Sequence, residues 1–380
     1  MRHPVSTPRC LNDEPSADAP GPGHHVVLPG QSPDGRYVLG VLLKRSYRIV
    51  PGGACVRVAE DAPLVPGDVH WGDPLNSTVK FESDFVPYKL ATDVVVVGTA
   101  YAPGGRPVPV LDVAVSVGAH RKSVRVLGDR RAVFRGEDRD PGFTEPEPFA
   151  TMPLRYERAY GGIDVRSNPA MQSAYGRNHL GRGWVVANTK AALDGLPLPN
   201  LEDPADLLEP ARLCCGHFMH WERQPMPAGI AWFSKYWRPR AGMAGVMPAD
   251  RPVEQELRRA YARFVPPEQR ELYAQTGLPD MDFRFFNGAS PGLVLPWLDG
   301  SEEVVLEHLA PQPRLAFRLP GETPAIGLDI GEGPKATAVR LHTVQVRADD
   351  GEVDLVWRSA HPYPGPDWLP KMTRLDVIVG

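Results

Sequence analysis

Residues 281–320 carry the pattern that most restricts the fold of this chain. Apolar and polar side chains alternate there in three short runs, at 281–286, 303–307 and 315–319. A period of two sends successive side chains to opposite faces of a β-strand, so each run is predicted to be a strand with one buried face. Turn-forming pairs separate the runs: Asn287-Gly288, Pro291-Gly292 and Asp299-Gly300. The segment therefore predicts short strands joined by tight turns.

Similar strand patterns recur along the chain, whereas helical periodicity occurs in one place. Strands are predicted at 37–49, 54–59, 94–97, 108–117, 123–126, 131–134, 154–162, 339–346 and 353–357. The last two are expected to form a hairpin across Asp350-Gly351, and the valine run 94–97 is expected to be a central strand buried on both faces. Only residues 252–275 show the apolar spacing of a helix.

Proline content agrees with a fold made of strands and loops. The 380-residue chain contains 43 prolines, well above the usual share of about 5%, and proline disrupts helix interiors. We therefore predict a mainly β protein, with antiparallel, sandwich-like sheets in two lobes and one minor helical segment. The predicted parts are a disordered tail at 1–24, an N-terminal β lobe at 25–150 and a C-terminal β-rich lobe at 151–380.

Charge, hydropathy and cysteine use limit the partners and the location. A formal net charge of −4 gives no electrostatic reason to bind nucleic acid or an anionic membrane. The basic residues between 121 and 135 are interpreted as a solvated strand face. No run approaches the roughly 18 apolar residues of a membrane span, and the adjacent Cys214 and Cys215 do not suggest a secreted disulfide framework. We therefore expect a cytoplasmic protein without nucleic-acid partners or membrane insertion.

One short motif matches a known catalytic arrangement. Gly288-Ala289-Ser290-Pro291-Gly292 fits the nucleophile elbow G-x-S-x-G, and Asp329 and His342 follow in the order found in α/β-hydrolases. In that elbow the N–H of the residue after the serine helps to stabilise an oxyanion, whereas proline has no N–H. We therefore expect Ser290 to be a turn residue, and we assign no catalytic residue.

Two further groups have side chains suited to chemistry. Four soft-metal ligands lie close in sequence: Cys214, Cys215, His217 and His220. Adjacent thiolates crowd one another, and zinc ligands are normally separated by two or more residues, so free cysteines and surface histidines are favoured and the question of a metal stays open. Three carboxylates are interpreted as strand-end caps and salt-bridge partners: Glu82, Asp84 and Asp93. No cofactor is expected.

Distinctive sequence blocks follow one another between residues 25 and 360. They include Glu82-Ser83-Asp84-Phe85 with Pro87, Lys89 and Asp93; Gly128-Asp129-Arg130; YERAYGG at 156–162; Gly181-Arg182-Gly183; Leu198-Pro199-Asn200; Trp237-Arg238-Pro239-Arg240; and Val356-Trp357-Arg358. In these blocks the chain resembles a bacterial family first catalogued as a domain of unknown function, whose members accompany type VI secretion genes. The resemblance implies a non-catalytic adaptor or chaperone that loads a secreted effector onto spike or tip proteins. The family has no agreed catalytic residues to transfer.

An adaptor needs rigid, exposed anchors rather than a pocket of acids and bases. Trp, Tyr and Arg are common interface anchors, and the stretch WFSKYWRPR at 232–240 is rich in them. Lys235, Trp237 and Arg238 are the predicted partner-binding residues, although the same side chains could join the two lobes. The competing interpretations are a hydrolase of unknown substrate and a carbohydrate-binding β module with exposed tryptophans over a groove.

Overall fold

The computed structural model describes residues 23–32, 36–134, 141–244, 282–331, 333–372 and 374–380. The predicted helical segment 252–275 and most of the predicted tail 1–24 lie outside the described residues. His24, assigned to the tail by its sequence context, begins the first strand because it pairs with Lys44.

β-strands dominate the secondary structure, as predicted. The strands of the described residues are, in chain order, β1 (His24–Gln31), β2 (Tyr37–Arg48), β3 (Val56–Arg57), β4 (Val69–His70), β5 (Val79–Phe81), β6 (Thr92–Val97), β7 (Thr99–Tyr101), β8 (Val110–Val117), β9 (His120–Leu127), β10 (Ala132–Phe134), β11 (Pro141–Phe143), β12 (Thr151–Pro153), β13 (Tyr160–Gly161), β14 (Arg182–Gly183), β15 (Leu201–Glu202), β16 (Val294–Leu295), β17 (Glu303–Glu307), β18 (Arg314–Arg318), β19 (Ile326–Asp329), β20 (Lys335–Ala336), β21 (Val339–Arg347), β22 (Glu352–Pro362) and β23 (Asp376–Val379).

The described helices are short. The α-helices are α1 (Lys190–Leu193) and α2 (Arg240–Met243). The 3₁₀ helices are Pro103–Gly105, Tyr156–Arg158, Pro169–Met171, Pro210–Arg212, Phe218–Arg223, Phe283–Phe286 and Pro366–Lys371. Within the described ranges, no helix has the length and apolarity needed to cross a membrane.

The larger sheet joins strands from both ends of the chain. Its order is β1-β2-β22-β21-β6-β16, and β3 also pairs with β2. Neighbouring strands in this sheet are antiparallel, except for β21 and β6, which are parallel. All of β6 is buried between β21 and β16, which confirms the valine run as a central strand. The predicted hairpin is present as β21 and β22, and Gly351 in its turn has a φ of +69°.

The second main sheet packs against the larger one. Its order is β15-β9-β8-β17-β18, and its pairs are antiparallel. One core cluster contains side chains of both sheets, such as Val113 and Leu306 from the second and Val344 and Leu355 from the larger. Both sheets take strands from each side of residue 150, so a division of the chain there does not separate the sheets.

Two smaller clusters extend the core. Strands β20, β19 and β23 form a three-stranded sheet, and its Ile326 and Leu328 pack with Leu39 and Val41 of β2. A separate, aromatic cluster lies in the loop-rich part of the chain and includes Tyr160, Tyr175, Trp184, Leu198 and Leu213. The glycine-rich loops around β13 and β14 pack on this cluster through Tyr160 and Trp184.

The first strand predicted in the segment 281–320 is wrong. Residues Phe283–Phe286 form a 3₁₀ helix, because the Asp282 carboxylate accepts a hydrogen bond from the Arg284 N–H at 2.9 Å. Such a local side-chain contact competes with strand pairing. The two later strands of the segment are present as β17 and β18, which pair with each other.

The predicted strand at 154–162 is also largely wrong. Tyr156–Arg158 forms a 3₁₀ helix, and only Tyr160–Gly161 pairs as a strand, parallel to β14. Gly161 has a φ of +145°, and a Cβ there would lie 2.0 Å from the Asn178 carbonyl oxygen. The paired glycines therefore allow two loops to approach closely, which a regular strand does not require.

Candidate functional site

One face of the larger sheet is buried but polar. In β2 and β22, buried polar residues alternate with residues of the apolar core, so they lie on the opposite face. Buried polar residues of the central strands include Lys44, Ser46, His342, Thr343, Gln345, Asp354 and Arg358. We refer to this set as the buried polar face. Buried charges are costly unless they are paired, so the face needs a cover that supplies partners.

Residues 82–93 provide that cover. Asp84 pairs with Lys44 at 3.2 Å. Lys89 pairs with Asp93 at 2.6 Å, and both side chains are buried. Asp93 also accepts hydrogen bonds from the backbone N–H groups of Gly288 and Ala289, at 2.9 and 3.3 Å. These contacts fix the loop before β16 against the sheet.

Glu82 forms a third ion pair, with Arg240 of α2. Two guanidinium nitrogens lie 2.9 and 2.5 Å from the two carboxylate oxygens, and both side chains are buried. Burial raises the pKa of the Glu82 carboxyl, and the Arg240 charge acts in the opposite direction. Gly288 packs so closely on this pair that a Cβ would lie 1.8 Å from Glu82 Oε2. The three carboxylates at 82, 84 and 93 are thus salt-bridge partners, as predicted, and each has its own cation.

Ser290 lies at the start of a turn, as predicted. The Leu293 N–H donates to the Ser290 carbonyl at 2.9 Å, and Gly292 has a φ of +89°. Proline followed by such a glycine is typical of a type II turn. The Ser290 hydroxyl donates to the Gly229 carbonyl at 2.6 Å, so the side chain ties the turn to a neighbouring loop.

The surroundings of Ser290 do not form the triad suggested by the motif. Lys122 Nζ and the Tyr156 hydroxyl each lie 2.9 Å from Ser290 Oγ and donate to it. Burial lowers the pKa of Lys122 to about 8, but both serine lone pairs are occupied and the residue is fully buried. Asp329 instead accepts hydrogen bonds from backbone N–H groups, and His342 stacks on a tryptophan ring.

The cysteine and histidine group has features that disfavour metal binding. Burial raises the pKa of both Cys214 and Cys215, the latter to about 11, and metals bind the thiolate form. Cys215 Sγ donates to the His217 carbonyl at 3.2 Å. Among the described residues, no three histidine, cysteine or acidic side chains lie close enough to share one ion.

The three predicted partner-binding residues occupy different environments. Lys235 pairs with Asp68 at 2.8 Å, and the Arg238 guanidinium lies 5.2 Å from the centre of a tryptophan ring. Both are partly exposed. Trp237 is only 2% exposed and packs edge-on against two aromatic rings of the core, so its ring offers no surface to a partner. The exposed aromatic residue of this stretch is Tyr236, at 70%.

A cleft of ≈ 410 Å³ lies beside the 3₁₀ helix Tyr156–Arg158. Three arginines line it, Arg155, Arg158 and Arg182, together with Trp71. The loop that follows β4 forms one wall, and the segments around β12 and β14 form the others. We call this site the arginine cleft.

The one carboxylate that lines the arginine cleft is already occupied. The Glu157 oxygens accept hydrogen bonds from the N–H and the hydroxyl of Thr78, each at 2.7 Å. Glu157 therefore anchors its 3₁₀ helix to the residue before β5. It keeps its negative charge, which acts on the neighbouring Arg182.

Arg158 and Arg182 share a single acid at the edge of the cleft. Each has a guanidinium nitrogen 3.5 Å from Asp129 Oδ1, and the Asp129 side chain is 60% exposed. Arg158 also donates to Asn200 Oδ1 at 3.0 Å. Burial, and to a smaller extent the charge of Arg158, lowers the pKa of Arg182. Crowded cations of this kind favour the approach of an anion.

Arg155 is the least compensated of the three arginines. Its guanidinium carbon lies 3.7 Å from the centre of the Trp71 ring. Its buried Nε has no hydrogen-bond partner among the described residues. A guanidinium stacked on a ring keeps its N–H groups at its edge, where they can bind a carboxylate or phosphate through two hydrogen bonds.

Sequence reasoning did not recognise the arginine cleft. Asp129, Arg158, Arg182 and Asn200 belong to four separate blocks of the family resemblance, and the fold brings these blocks together. Trp71 and Arg155 lie outside the quoted blocks. In two of the blocks an arginine lies close to glycines in the sequence. This pattern alone does not predict that the two arginines share a site.

The fold and the cleft define a mainly β protein with an arginine-lined surface site. A family model with the description "Uncharacterized protein conserved in bacteria (DUF2169)" matches residues 34–358, and the chain therefore belongs to this bacterial family. No curated protein and no solved structure matches the chain.

Proposed function

We propose that this protein is a non-catalytic, cytoplasmic adaptor of a type VI secretion apparatus. It binds a secreted effector and delivers it to the spike or tip proteins. The ordered blocks that resemble effector-loading adaptors support this proposal, and membership of a bacterial family agrees with it.

The observation that carries the proposal is the convergence of four of those blocks on the arginine cleft. A carrier must hold its cargo firmly and later release it, which favours polar anchors on an accessible surface over a closed apolar pocket. Arginine beside tryptophan is a common composition of such anchors. The cleft, lined by Arg155, Arg158, Arg182 and Trp71, has this composition.

The competing functions receive less support from the described residues. For a hydrolase, the Ser290 oxygen would need a free lone pair and access to a substrate, and it has neither. For a carbohydrate-binding module, an open tryptophan face would be needed, whereas Arg155 stacks on the Trp71 ring at 3.7 Å. A fluorophosphonate probe should leave Ser290 unlabelled, and labelling of that residue would favour the hydrolase.

Secretion from the native bacterium tests the adaptor function. Deleting the gene should abolish secretion of one effector encoded nearby, while the spike protein still reaches the medium. Restoring the wild-type gene should restore secretion of that effector. Normal secretion of every effector in the deletion strain would contradict the proposal, as would failure of the purified protein to bind both effector and spike components.

A further inference from the structure

We propose that the arginine cleft binds a carboxylate of an extended, acidic segment in the partner protein. This inference deepens the proposed adaptor function and rests on it for the nature of the partner. The binding chemistry itself follows from the cleft.

The first step is the charge of the cleft. Three guanidinium groups line it against one lining carboxylate, that of Glu157, so the lining carries an excess of positive charge. Asp129 lies 3.5 Å from two of the arginines and is largely exposed. A carboxylate entering the cleft would therefore meet a net excess of positive charge, and charge-assisted hydrogen bonds to arginine are among the stronger polar contacts.

The second step is the arrangement of Arg155. Its stacking on Trp71 holds the guanidinium in place, so little side-chain entropy is lost when a ligand binds. The planar fork then matches the two oxygens of a carboxylate.

The third step is a neighbouring cleft that shares Arg182. This second cleft, of ≈ 190 Å³, is lined by Ile163 and Val165, which are 58% and 70% exposed. A peptide with an acidic residue in the arginine cleft and an apolar residue beside it would fill both sites. A free phosphate would use only the arginines, and a single-stranded nucleic acid would need several stacking rings where this cleft has one, Trp71.

Peptide selection provides the test. A displayed library of random peptides of about 12 residues, long enough for an extended segment, is selected on the full-length protein. We expect the recovered peptides to share an aspartate or glutamate next to an apolar residue. A synthetic copy in which this acid is replaced by its amide should bind at least about tenfold more weakly.

Two variants locate the binding site. Arg155→Gln should weaken the selected peptide at least about tenfold, because the fork that binds the carboxylate is lost. Arg340→Gln is the matched control, since Arg340 is exposed and lies 6.0 Å from the Trp297 ring outside the cleft; it should leave the affinity within about twofold. Ile163→Asp, at an exposed position, should weaken the same peptide by charge repulsion and loss of apolar contact.

Further arms separate the sources of the carboxylate. Peptides with free and amidated C-termini show whether the anion is a side chain or a chain end, and either result supports the proposal. Competition by inorganic phosphate without selection of acidic peptides would overturn it in favour of a free-anion site. Selected peptides that lack acids, or that bind Arg155→Gln as tightly as the wild type, would also overturn it.

The outcomes for the cleft and for the adaptor function can be told apart. If the effector found by secretion still binds Arg155→Gln as it binds Arg340→Gln, the adaptor function stands and the cleft is not its docking site. If acidic peptides bind in the cleft but no effector depends on the gene, the carboxylate site stands and the adaptor function is wrong.

Discussion

The Glu82–Arg240 pair beside the buried polar face and the arginine cleft hold arginines whose charges are compensated to different degrees. Beside the face, Arg240 meets both carboxylate oxygens of Glu82, and the pair is buried. In the cleft, Arg155 stacks on an aromatic ring, and its Nε has no partner in the described part of the chain. The first arginine has a carboxylate partner within the fold, whereas the second has none among the described residues.

This difference shows that the sequence blocks of the family resemblance differ in role. The charged residues of some blocks pair within the fold, and those of others lie at the surface. The block at 82–93 covers the sheet, and each of its carboxylates has a cation from the same chain. The blocks that contain Arg158 and Arg182 instead place cations at the surface with one shared, exposed acid. A charged motif therefore indicates folding or binding only when the position of its counter-charge is known.

The strongest test of the comparison is removal of the Arg240 charge. Arg240→Gln leaves Glu82 buried without a cation, and breaking a buried pair in this way costs about 3–5 kcal/mol. Urea unfolding should show this loss. The control is Arg284→Gln, because Arg284 pairs with Asp282 while its own side chain is 69% exposed, and exposed pairs contribute about 0–1 kcal/mol. Equal effects of the two substitutions would remove the distinction between the regions.

A smaller loss is expected when a methyl group is added next to the same pair. Gly288→Ala places a Cβ against Glu82 Oε2, and overpacking of this kind costs about 1–3 kcal/mol. Gly67→Ala is the control, since a Cβ there meets nothing within 4 Å. Thermal unfolding should separate the two variants. An unchanged midpoint for Gly288→Ala would mean that the ion pair can shift without cost.

Lys122 is an intermediate case, and its effect depends on pH. Burial lowers its pKa to about 8 in the folded protein, below the value of about 10.4 in an unfolded chain. The unfolded state then binds more protons between these values, so the stability of the wild type should rise as the pH increases from about 8 to about 10. Compared with Lys122→Met, we expect a relative gain of about 1–2 kcal/mol over that range. If the difference in unfolding free energy between the wild type and Lys122→Met is the same at pH 8 and pH 10, the expected burial of this cation is wrong.

The smallest effect on stability is expected in the arginine cleft. Arg155→Gln removes no hydrogen bond or ion pair found among the described residues and loses the contact with Trp71, so the free energy of unfolding should fall by about 0.5–1 kcal/mol. Chemical denaturation measures this change alongside peptide binding. A large loss of stability would show that the contact with Trp71 belongs to the fold rather than to a binding site.

Much of the β framework could be predicted because burial leaves a pattern in the sequence. The valine run of β6 and the hairpin of β21 and β22 follow from continuous apolar residues and from Asp350-Gly351. The errors at 283–286 and 156–158 arose where a side chain bonded locally or to a distant residue, as Glu157 does with Thr78. The periodicity of apolar residues does not depend on such hydrogen bonds, so it cannot predict where they interrupt a strand.

The candidate site was harder to predict for a related reason. Arg158 and Asn200 are 42 positions apart in sequence, yet their side chains are joined at 3.0 Å. Trp237 met the compositional rule for an anchor but is buried. Composition identifies residues that suit an interface, whereas burial and counter-charge, which depend on the three-dimensional fold, decide which of them are available.

The pairing of β2 with β22 has a consequence for the synthesis of the protein. Val38 pairs with Pro362, and the register continues to Arg48 with Glu352, so the centre of the larger sheet joins segments from opposite ends of the chain. Contacts this distant give a high contact order and slow folding. The central sheet cannot assemble until β22 has left the ribosome, and until then β2 exposes an unpaired edge that can associate with other chains. Deleting residues 352–362 would therefore remove the strand that pairs with β2 along this edge and leave the edge open.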